Sequence, residues 1–337
     1  MKPEIAVMLP CYNEAVTIGQ VVADFRAALP EARIYVFDNA STDETAALAR
    51  AAGATVIREP RKGKGNVVRR MFAEVDADIY LMADGDGTYS AADAPKLIDA
   101  LVSTRSDMAI GARSGVRQDA GRRGHALGNR LFNFAYSRLF GNDYTDIFSG
   151  YRAFSRRFAK SFPALSHGFE IETEMSVFAS QLRLPTVELD LPYGKRPEGS
   201  SSKLSSVKDG LRIFGAFLAL FKTIKPATFF GTIASGVAMA SLVLAFPLFV
   251  EYLQTGLVPR MPTALLCTGM MIVSLLLAMS GLVIGAVTRA QAENMRLFYL
   301  AMPANRVDPT ETVADDGWND AEKSAALRLG GERRASA

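Results

Sequence analysis

Two aspartates separated by one residue are the strongest chemical feature of this sequence. Asp84 and Asp86 follow a short apolar run at 79–83 that is typical of a buried strand, and each is followed by a glycine. Because side chains alternate along an extended chain, both carboxylates are expected on the same side. Paired carboxylates suit Mg²⁺ or Mn²⁺, which complete their shells with phosphates and water. The spacing alone also fits a polar turn that caps the next helix.

The elements that would position these aspartates belong to an α/β pattern. Short apolar runs alternate with longer amphipathic ones from residue 5 to about 111, which is typical of βα units that build a mostly parallel sheet. Strands are predicted at 5–9, 33–37, 54–57, 78–83, 107–111 and 184–193. Helices are predicted at about 15–29, after Ser41 or Thr42 as a cap, and after Gly65. In such sheets ligands bind beyond the carboxyl ends of the strands.

Those strand ends carry residues that could bind a nucleotide. Glu14 and Asp38 could accept hydrogen bonds from a base or ribose, and Lys-Gly-Lys-Gly at 62–65 offers backbone amides and positive charge near phosphates. Asp38 and Asp43 equally suit turns and helix caps, and the two lysines equally suit a solvated loop. The chain has neither a Walker A loop nor a G-x-G-x-x-G fingerprint, which disfavours kinases, ATPases and dehydrogenases.

Two further polar segments lie in the middle of the chain. The first is a basic run with a single aspartate, Asp119, and it contains Arg113, Arg117, Arg122, Arg123, His125 and Arg130. This run would attract an anionic substrate, although a solvated surface loop is the alternative. The second contains Glu170, Glu172 and Glu174, which the helix dipole favours near a helix N-terminus.

Length and composition limit the class of protein. The 337 residues suffice for one catalytic domain with an appendage, and a net charge of +3 is too small to indicate a nucleic-acid partner. Cys11 and Cys267 lie in different kinds of segment, which argues against a disulfide framework or a zinc site. The N-terminus lacks a signal-peptide pattern, so we expect the first half to be cytoplasmic.

The second half carries a membrane signal. Residues 226–250 and 261–288 contain no charged side chain, and each is long enough to cross a hydrocarbon core of about 30 Å as a helix. We therefore predict a hairpin of two transmembrane helices at about 226–250 and 263–287. Cations flank its outer ends and place both termini in the cytoplasm; they are Lys222, Lys225, Arg289 and Arg296. Small residues that could let the helices pack closely are Gly231, Ser235, Gly236, Gly281 and Gly285.

The segments on either side of this hairpin differ in character. Residues 206–225 place apolar side chains at steps of three and four among lysines and arginines, which fits an amphipathic juxtamembrane helix, with a core-packed helix as the alternative. The expected organisation is a catalytic domain at 1–205, that helix at 206–225, the hairpin at 226–288 and a cytoplasmic, largely disordered tail at 289–337.

In combination, these motifs resemble family 2 glycosyltransferases of the dolichol-phosphate-mannose synthase type, a group that includes bacterial polyprenyl-phosphate glycosyltransferases. The resemblance runs from residue 5 to about 225 and is carried by Pro10-x-Tyr12-Asn13-Glu14, Asp38-Asn-x-Ser-x-Asp43, Gly63-Lys-Gly65, Asp84-x-Asp86, Gly111-x-Arg113, Asp146-x-x-Ser149-Gly150 and Arg196-x-x-Gly-x-Ser-x-Lys203. Thr88 stands where relatives often show a glutamine near the metal. The Gln-x-x-Arg-Trp motif of processive members is absent, which disfavours polymerisation.

The resemblance implies a GT-A fold, which is Rossmann-like, and a role for each matching residue. Nucleotide-sugar binding is expected of Pro10, Tyr12, Glu14, Asp38, Lys64 and Asp84. Asp84 and Asp86 would hold Mg²⁺ or Mn²⁺, with Asp86, Arg113 and Asp146 as the catalytic set. We expect Arg196 and Lys203 to bind the acceptor phosphate.

The expected reaction is inverting sugar transfer from a UDP- or GDP-linked donor to an undecaprenyl or dolichyl monophosphate at the inner cell membrane. A lipid phosphate is largely ionised near neutral pH and needs little help from a base. One alternative is a hydroxyl acceptor, for which Asp146 is a candidate base. Another is an inactive, membrane-anchored sugar-nucleotide-binding module. The sequence is also compatible with a homo-oligomer.

Overall fold

The structure is a computed structural model that describes residues 2–114, 144–168, 170–194, 218, 221–222 and 225–303. It divides into two compact units. We call Met1–Leu204 with Met295–Ala337 the sheet unit and Ser205–Asn294 the helical unit.

A single sheet of seven strands forms the centre of the sheet unit. The strands are β1 (Ile5–Cys11), β2 (Arg33–Asp38), β3 (Thr55–Arg58), β4 (Ile79–Met82), β5 (Met108–Ser114), β6 (Arg152–Ser155) and β7 (Thr186–Pro192). Their order is β3-β2-β1-β4-β6-β5-β7, and only β6 runs antiparallel to its neighbours β4 and β5. The predicted mostly parallel α/β sheet is therefore confirmed.

The helices of the sheet unit cover both faces of the sheet. In chain order the α-helices of the described residues are α1 (Ile18–Ala28), α2 (Thr45–Ala51), α3 (Lys64–Glu74), α4 (Ala94–Ser103), α5 (Arg156–Ser161), α6 (Ile171–Gln181), α7 (Pro226–Thr255) and α8 (Met261–Ala301). α1 packs with α2 and α4, whereas α3 packs with α5 and α6. Alternate strand residues thus face two apolar layers, with Leu9 buried beside Phe25 in one and Phe72 edge-on to Phe154 in the other.

Ser41 and Thr42, the predicted caps of α2, do not cap the helix but form hydrogen bonds with Asn13. The helix begins at Thr45, and Asp43 Oδ1 accepts a hydrogen bond of 3.0 Å from the Thr45 amide. Thr42 instead donates from its amide to Asn13 Oδ1 at 2.8 Å, and the Asn13 amide donates to Ser41 Oγ at 3.0 Å. These bonds tie the loop after β1 to the loop after β2.

Two glycines bring the start of α3 against a distant backbone segment. A Cβ on Gly63 would lie 2.1 Å from the carbonyl oxygen of His167, and one on Gly65 would lie 2.1 Å from that of Ser166. The Gly65 amide donates to the His167 carbonyl at 3.2 Å, so it is engaged within the protein. The suggestion that the amides of 62–65 are available to phosphates is therefore wrong for Gly65. These glycines instead permit a close approach between α3 and the segment before α6.

The end of α8 belongs to the sheet unit and overturns part of the predicted tail. A tail was expected from residue 289, whereas α8 continues to Ala301. Tyr299 is buried, and its hydroxyl donates to Asp107 Oδ2 at 2.6 Å. The guanidinium of Arg157 lies 4.7 Å from the Tyr299 ring centre and donates to the Met302 carbonyl at 3.0 Å. Burial of the ring with its hydroxyl satisfied explains why the helix persists. The rest of the predicted tail, 304–337, lies outside the described residues.

The helical unit contains α7 and most of α8, the two helices whose length and apolar composition suffice to cross a membrane, Pro226–Thr255 and Met261–Ala301. Two serines join them: Ser241 Oγ donates to the Cys267 carbonyl at 2.8 Å, and Ser274 Oγ donates to the Ala234 carbonyl at 2.8 Å. On each helix the two contact residues lie seven positions apart, so the same side of each helix faces its partner over two turns. Of the predicted amphipathic helix at 206–225, almost all residues lie outside the described part.

Only some of the predicted small residues lie between the two helices. A Cβ on Gly281 would lie 2.9 Å from Phe230 Cβ, and one on Gly285 would lie 3.6 Å from Ala227 Cβ. By contrast, a Cβ on Gly231 or Gly236 would meet nothing within 4 Å. The packing prediction is confirmed for the glycines of α8 and wrong for Gly231 and Gly236, because α7 turns a different face toward its partner.

Gly281→Leu is expected to destabilise the pairing of α7 and α8. The new side chain would collide with Phe230, and overpacking of this kind costs about 1–3 kcal/mol. Thermal unfolding of the detergent-solubilised protein, followed by circular dichroism, measures the effect. Gly236→Leu is the matched control, since its site is open, and equal destabilisation by both variants would contradict this account of the pairing.

Gly65→Ala is expected to destabilise the sheet unit by separating α3 from the 166–168 segment. The added methyl would meet the Ser166 carbonyl, which belongs to the backbone and has little freedom to move. Gly19→Ala is the matched control, because Gly19 is also the second residue of a helix and a Cβ there would meet nothing within 4 Å. Urea unfolding should show a loss of about 1–3 kcal/mol for Gly65→Ala and none for Gly19→Ala. A Gly65→Ala protein as stable as the wild type would show that the close approach is unimportant.

Candidate functional site

Four acidic side chains lie around Cys11 at the carboxyl edge of β1, β2 and β4. Cys11, the last residue of β1, lies among them: burial raises the pKa of its thiol well above the usual value, and the nearby charges raise it further. Those charges belong to Glu14, Asp84, Asp38 and Asp86. The structure therefore brings together the acidic residues that the sequence placed at separate strand ends.

The nucleoside-binding candidates lie around the loops after β1 and β2. Asp38 is buried at the end of β2, and its Oδ1 accepts a hydrogen bond of 3.1 Å from the Ser41 amide. The turn-forming interpretation of Asp38 is thus correct for one oxygen. Lys62 Nζ lies 3.2 Å from Tyr12 Oη and 5.1 Å from the centre of its ring. Pro10 pairs in register with Phe37, beside Asp38. Pro10 and Asp38 therefore lie at the carboxyl ends of the neighbouring strands β1 and β2.

Asp84 and Asp86 have different surroundings. Asp86 is buried, and its Oδ1 accepts hydrogen bonds from the Thr88 hydroxyl at 2.6 Å and the Thr88 amide at 3.1 Å. Asp84 is 29% exposed at its side chain, and its Oδ1 lies 2.5 Å from Lys64 Nζ. One oxygen of Asp86 therefore closes a turn, which agrees with the alternative interpretation of the sequence. Asp84 is instead paired with the ammonium group of Lys64.

This donor set suits a hard divalent cation whose shell is completed by a substrate. Among the described residues, no group of three or more His, Cys, Asp or Glu side chains converges on one point. Two carboxylates are what Mg²⁺ or Mn²⁺ typically receives from a protein when phosphates and water provide the remaining ligands. Asp84 already attracts an ammonium group, so a positive charge is stabilised here. The pair fits such a cation.

Lys64 lies between Asp84, a candidate metal ligand, and Glu172, to which the sequence assigned no role. Its Nζ lies 2.5 Å from Asp84 Oδ1 and 2.6 Å from Glu172 Oε1. Burial would lower the pKa of Lys64, but the two carboxylates outweigh it and raise the pKa above the usual value. Glu172 lies in the first turn of α6, which confirms the expectation from the helix dipole. Glu172 is a charged residue among the buried residues of α6, and this is the signal that could have marked it as a functional residue.

A second ion pair lies at the end of β5. Arg113 Nε lies 2.6 Å from Asp146 Oδ2 and Arg113 Nη2 lies 2.9 Å from Asp146 Oδ1, which is a bidentate pair. Burial would raise the pKa of Asp146, but hydrogen bonds and charge from Arg113 hold it below the usual value. The guanidinium also lies 5.5 Å from the centre of the Tyr193 ring. Arg113 is thus held in a fixed orientation.

Two charged side chains to which the sequence assigned no role, Arg152 and Glu188, fix the loop that carries Asp146. The fully buried Arg152 donates to the carbonyls of Ile147 at 2.7 Å and Ser149 at 2.9 Å. Glu188 Oε1 accepts from the Asp146 amide at 2.9 Å. Both residues lie on strands; Arg152 immediately follows the loop, whereas Glu188 lies 42 residues after Asp146.

Gly150, which belongs to this loop, lies close to Asp84, a candidate metal ligand. Its amide donates to Tyr89 Oη at 2.9 Å, and a Cβ on Gly150 would lie 2.7 Å from Asp84 Oδ2. The Arg113 pair and the Lys64 pair are therefore parts of one site. Of the predicted site residues, Arg196 and Lys203 lie outside the described residues, as does the basic run after Arg113.

Comparison with known proteins places this site in a family. The sequence profile of Glycosyl transferase family 2 matches residues 6–162. Glycosyltransferase AglJ of Haloferax volcanii is 39% identical over 250 residues, or 74% of this chain and 81% of that protein. The dolichyl-phosphate hexose transferase of Haloferax volcanii is 28% identical over 216 residues, or 62% of this chain and 90% of that protein.

The fold also matches a solved enzyme. Glucosyl-3-phosphoglycerate synthase from Mycobacterium tuberculosis, crystallised with Mn²⁺, UDP and glucosyl-3-phosphoglycerate, has a TM-score of 0.53 at 23% identity, covering 65% of this chain and 79% of that chain. At this identity the likeness concerns the fold, which is GT-A-like. Since both the family profile and a relative matched along most of its length agree, the chain belongs to glycosyltransferase family 2 and is a glycosyltransferase.

Proposed function

We propose that this glycosyltransferase moves a sugar from a UDP- or GDP-linked donor to a polyprenyl monophosphate, undecaprenyl or dolichyl, with inversion at the anomeric carbon. The observation that carries the proposal is the bidentate pair of Asp146 with Arg113. A hydroxyl acceptor needs a carboxylate that can take up its proton. Asp146, the candidate for that task, has both oxygens engaged and a lowered pKa, so it is a poor base.

A lipid phosphate removes the need for such a base. Its second pKa is about 6, so its oxygen is already a largely ionised nucleophile near neutral pH. The site then has to position two anionic groups and stabilise the charge that develops on the departing diphosphate. Arg113, oriented by Asp146, suits the phosphate-binding part of that task.

The donor would lie along the carboxyl edge of β1, β2 and β4. We assign Pro10, Tyr12, Glu14 and Asp38 to the nucleoside, and Lys64 and Asp84 to the diphosphate. Asp84 and Asp86 would hold Mg²⁺ or Mn²⁺, which when bound neutralises charge on the nucleotide diphosphate. The solved glucosyl-3-phosphoglycerate synthase, which shares the fold, contains Mn²⁺ and UDP and supports this assignment.

The lipid part of the proposal has two independent supports. The dolichyl-phosphate hexose transferase to which the chain is similar is named for a polyprenyl phosphate. The chain also carries two helices long and apolar enough to cross a membrane. We therefore propose an inner-membrane protein with a cytoplasmic catalytic domain, and we assign Arg196 and Lys203 to the acceptor phosphate. We also propose the domain limits 1–205, 206–225, 226–288 and 289–337. The beginning of the last segment is helical, because α8 continues to Ala301.

The pH dependence of transfer to undecaprenyl phosphate tests the acceptor. The rate should rise through about pH 6, where the phosphate loses its second proton, and transfer to the alcohol undecaprenol should be absent. Asp146→Asn should keep this pH profile while lowering the rate roughly tenfold or more, because Arg113 loses a charge-assisted hydrogen bond worth about 1.5–3 kcal/mol. Radiolabelled donor and extraction of the lipid product give the measurement.

Asp190→Asn is the matched control for this test, since Asp190 is an exposed aspartate on β7 and should retain the wild-type rate. If undecaprenol is used, or if Asp146→Asn abolishes the rise with pH, Asp146 acts as a base and the phosphate acceptor is wrong.

Topology provides a separate prediction. Cysteines introduced at Gln254, near the connector between α7 and α8, and at Ala337 should react with membrane-impermeant reagents from opposite sides, with Gln254 outside. Both native cysteines, Cys11 and Cys267, are buried and should contribute little background. Labelling of both introduced cysteines from the cytoplasmic side would rule out a spanning hairpin.

A further inference from the structure

Lys64 engages one of the two carboxylate oxygens of Asp84 that the proposed metal could use. Its Nζ lies 2.5 Å from Asp84 Oδ1. A divalent cation such as Mg²⁺ binds a carboxylate oxygen at about 2.1 Å, so both cations on this oxygen would lie very close together. Repulsion between them is strong in a poorly hydrated site, and the Lys64 side chain is only 10% exposed. A metal that binds Asp84 through Oδ1 therefore requires Lys64 to move.

We propose that Lys64 exchanges partners: a divalent cation displaces it from Asp84, and Glu172 keeps it paired within the protein. The proposal rests on the assignment of a metal to Asp84 and Asp86. Glu172 is then a positioning residue, which acts through Lys64. Lys64 remains charged throughout, close to where the donor diphosphate is proposed to bind.

Glu172 has the capacity to hold Lys64 alone. Its side chain is 5% exposed, and Oε1 already lies 2.6 Å from Lys64 Nζ. Its second oxygen, Oε2, is buried and has no hydrogen-bond partner among the described residues. Buried carboxylate oxygens normally have partners, so this one is an acceptor in reserve. An ammonium group that turns away from Asp84 can donate to it, and no buried charge is left unpaired.

The absence of a side chain at Gly150 keeps both Lys64 and Asp84 from being crowded. Gly150 faces both groups, since a Cβ there would lie 2.7 Å from Asp84 Oδ2 and 3.1 Å from Lys64 Nζ. Any other residue at this position would crowd the ammonium and the carboxylate. The close approach of α3 to the 166–168 segment keeps Glu172 within reach of Lys64.

A fixed ion pair is the competing explanation, in which Lys64 merely adds local positive charge. Single substitutions do not separate the two, because removal of a lysine strengthens cation binding through charge alone. Lys64→Met combined with Glu172→Gln removes one positive and one negative charge, so the net charge of the cluster is unchanged. If charge alone matters, this double variant should bind Mn²⁺ as the wild type does.

The test is the affinity of the detergent-solubilised full chain for Mn²⁺ alone, measured by the electron paramagnetic resonance signal of the free ion. Partner exchange predicts that the double variant binds Mn²⁺ about tenfold or more tightly than the wild type, since Asp84 no longer has to release Lys64. Glu172→Gln alone should bind more weakly than the wild type, because Lys64 would lose its second partner. Lys96→Met is the control for loss of a distant positive charge and should match the wild type. Lys96 lies on α4 and is paired with Asp93.

Each outcome bears on one of the two proposals. Asp84→Asn should abolish Mn²⁺ binding in every background, and retention of binding would refute the metal assignment itself. If Asp84→Asn abolishes binding but the double variant has wild-type or weaker affinity, the metal assignment stands and partner exchange is wrong. Circular dichroism of each variant confirms that the fold is kept, and Glu172→Gln, which is nearly isosteric, provides a second test that overturns the proposal if its affinity is unchanged.

Discussion

The buried ammonium group of Lys64 joins three parts of the sheet unit that are distant in sequence. It lies at the start of α3, contacts Asp84 after β4, and contacts Glu172 in the first turn of α6. Removal of one partner from a buried ion pair costs about 3–5 kcal/mol, because the remaining charge is left without compensation. The glycines on either side of Lys64 permit the approach that makes these contacts, so the Gly-Lys-Gly motif is explained by packing as much as by charge.

The Arg113 pair follows the same physical rule with a different geometry. A guanidinium group bound by both oxygens of one carboxylate has little freedom to rotate, so its remaining donors point in a fixed direction. Asp146 is in turn fixed by Glu188 through the backbone, and its loop is fixed by Arg152. Charges oriented before the substrate binds need no reorganisation during the reaction, which is how such groups lower a barrier. This property supports the proposed transfer to a phosphate acceptor, which needs no free base.

The sequence predicted the parallel strands because buried strands leave apolar runs that end in polar residues. It did not reveal β6, in which Arg152 is fully buried on a strand of four residues. A cation inside such a strand contradicts the usual pattern, and it is compensated by the carbonyls of the 147–149 loop and by the Ser176 hydroxyl, which lie outside the strand. In the same way, spacing placed Asp84 and Asp86 together but could not show that Thr88 engages one oxygen of Asp86. Glu172 was unassigned because its partner lies more than a hundred residues away in sequence.

Close approach through small residues recurs in the helical unit, where the driving force is different. In water, the burial of apolar surface favours association of α3 with the segment before α6. In the proposed bilayer, lipid tails are as apolar as the side chains, so packing and interhelical hydrogen bonds must hold α7 and α8 together. The two serine-to-carbonyl bonds and the contact at Gly281 provide both. Because Ser241 and Ser274 each donate to the backbone of the facing helix, rotation of either helix would leave a hydroxyl and a small-residue contact unsatisfied. The register of the pair is therefore set by a few small polar residues, and general hydrophobicity contributes little to it.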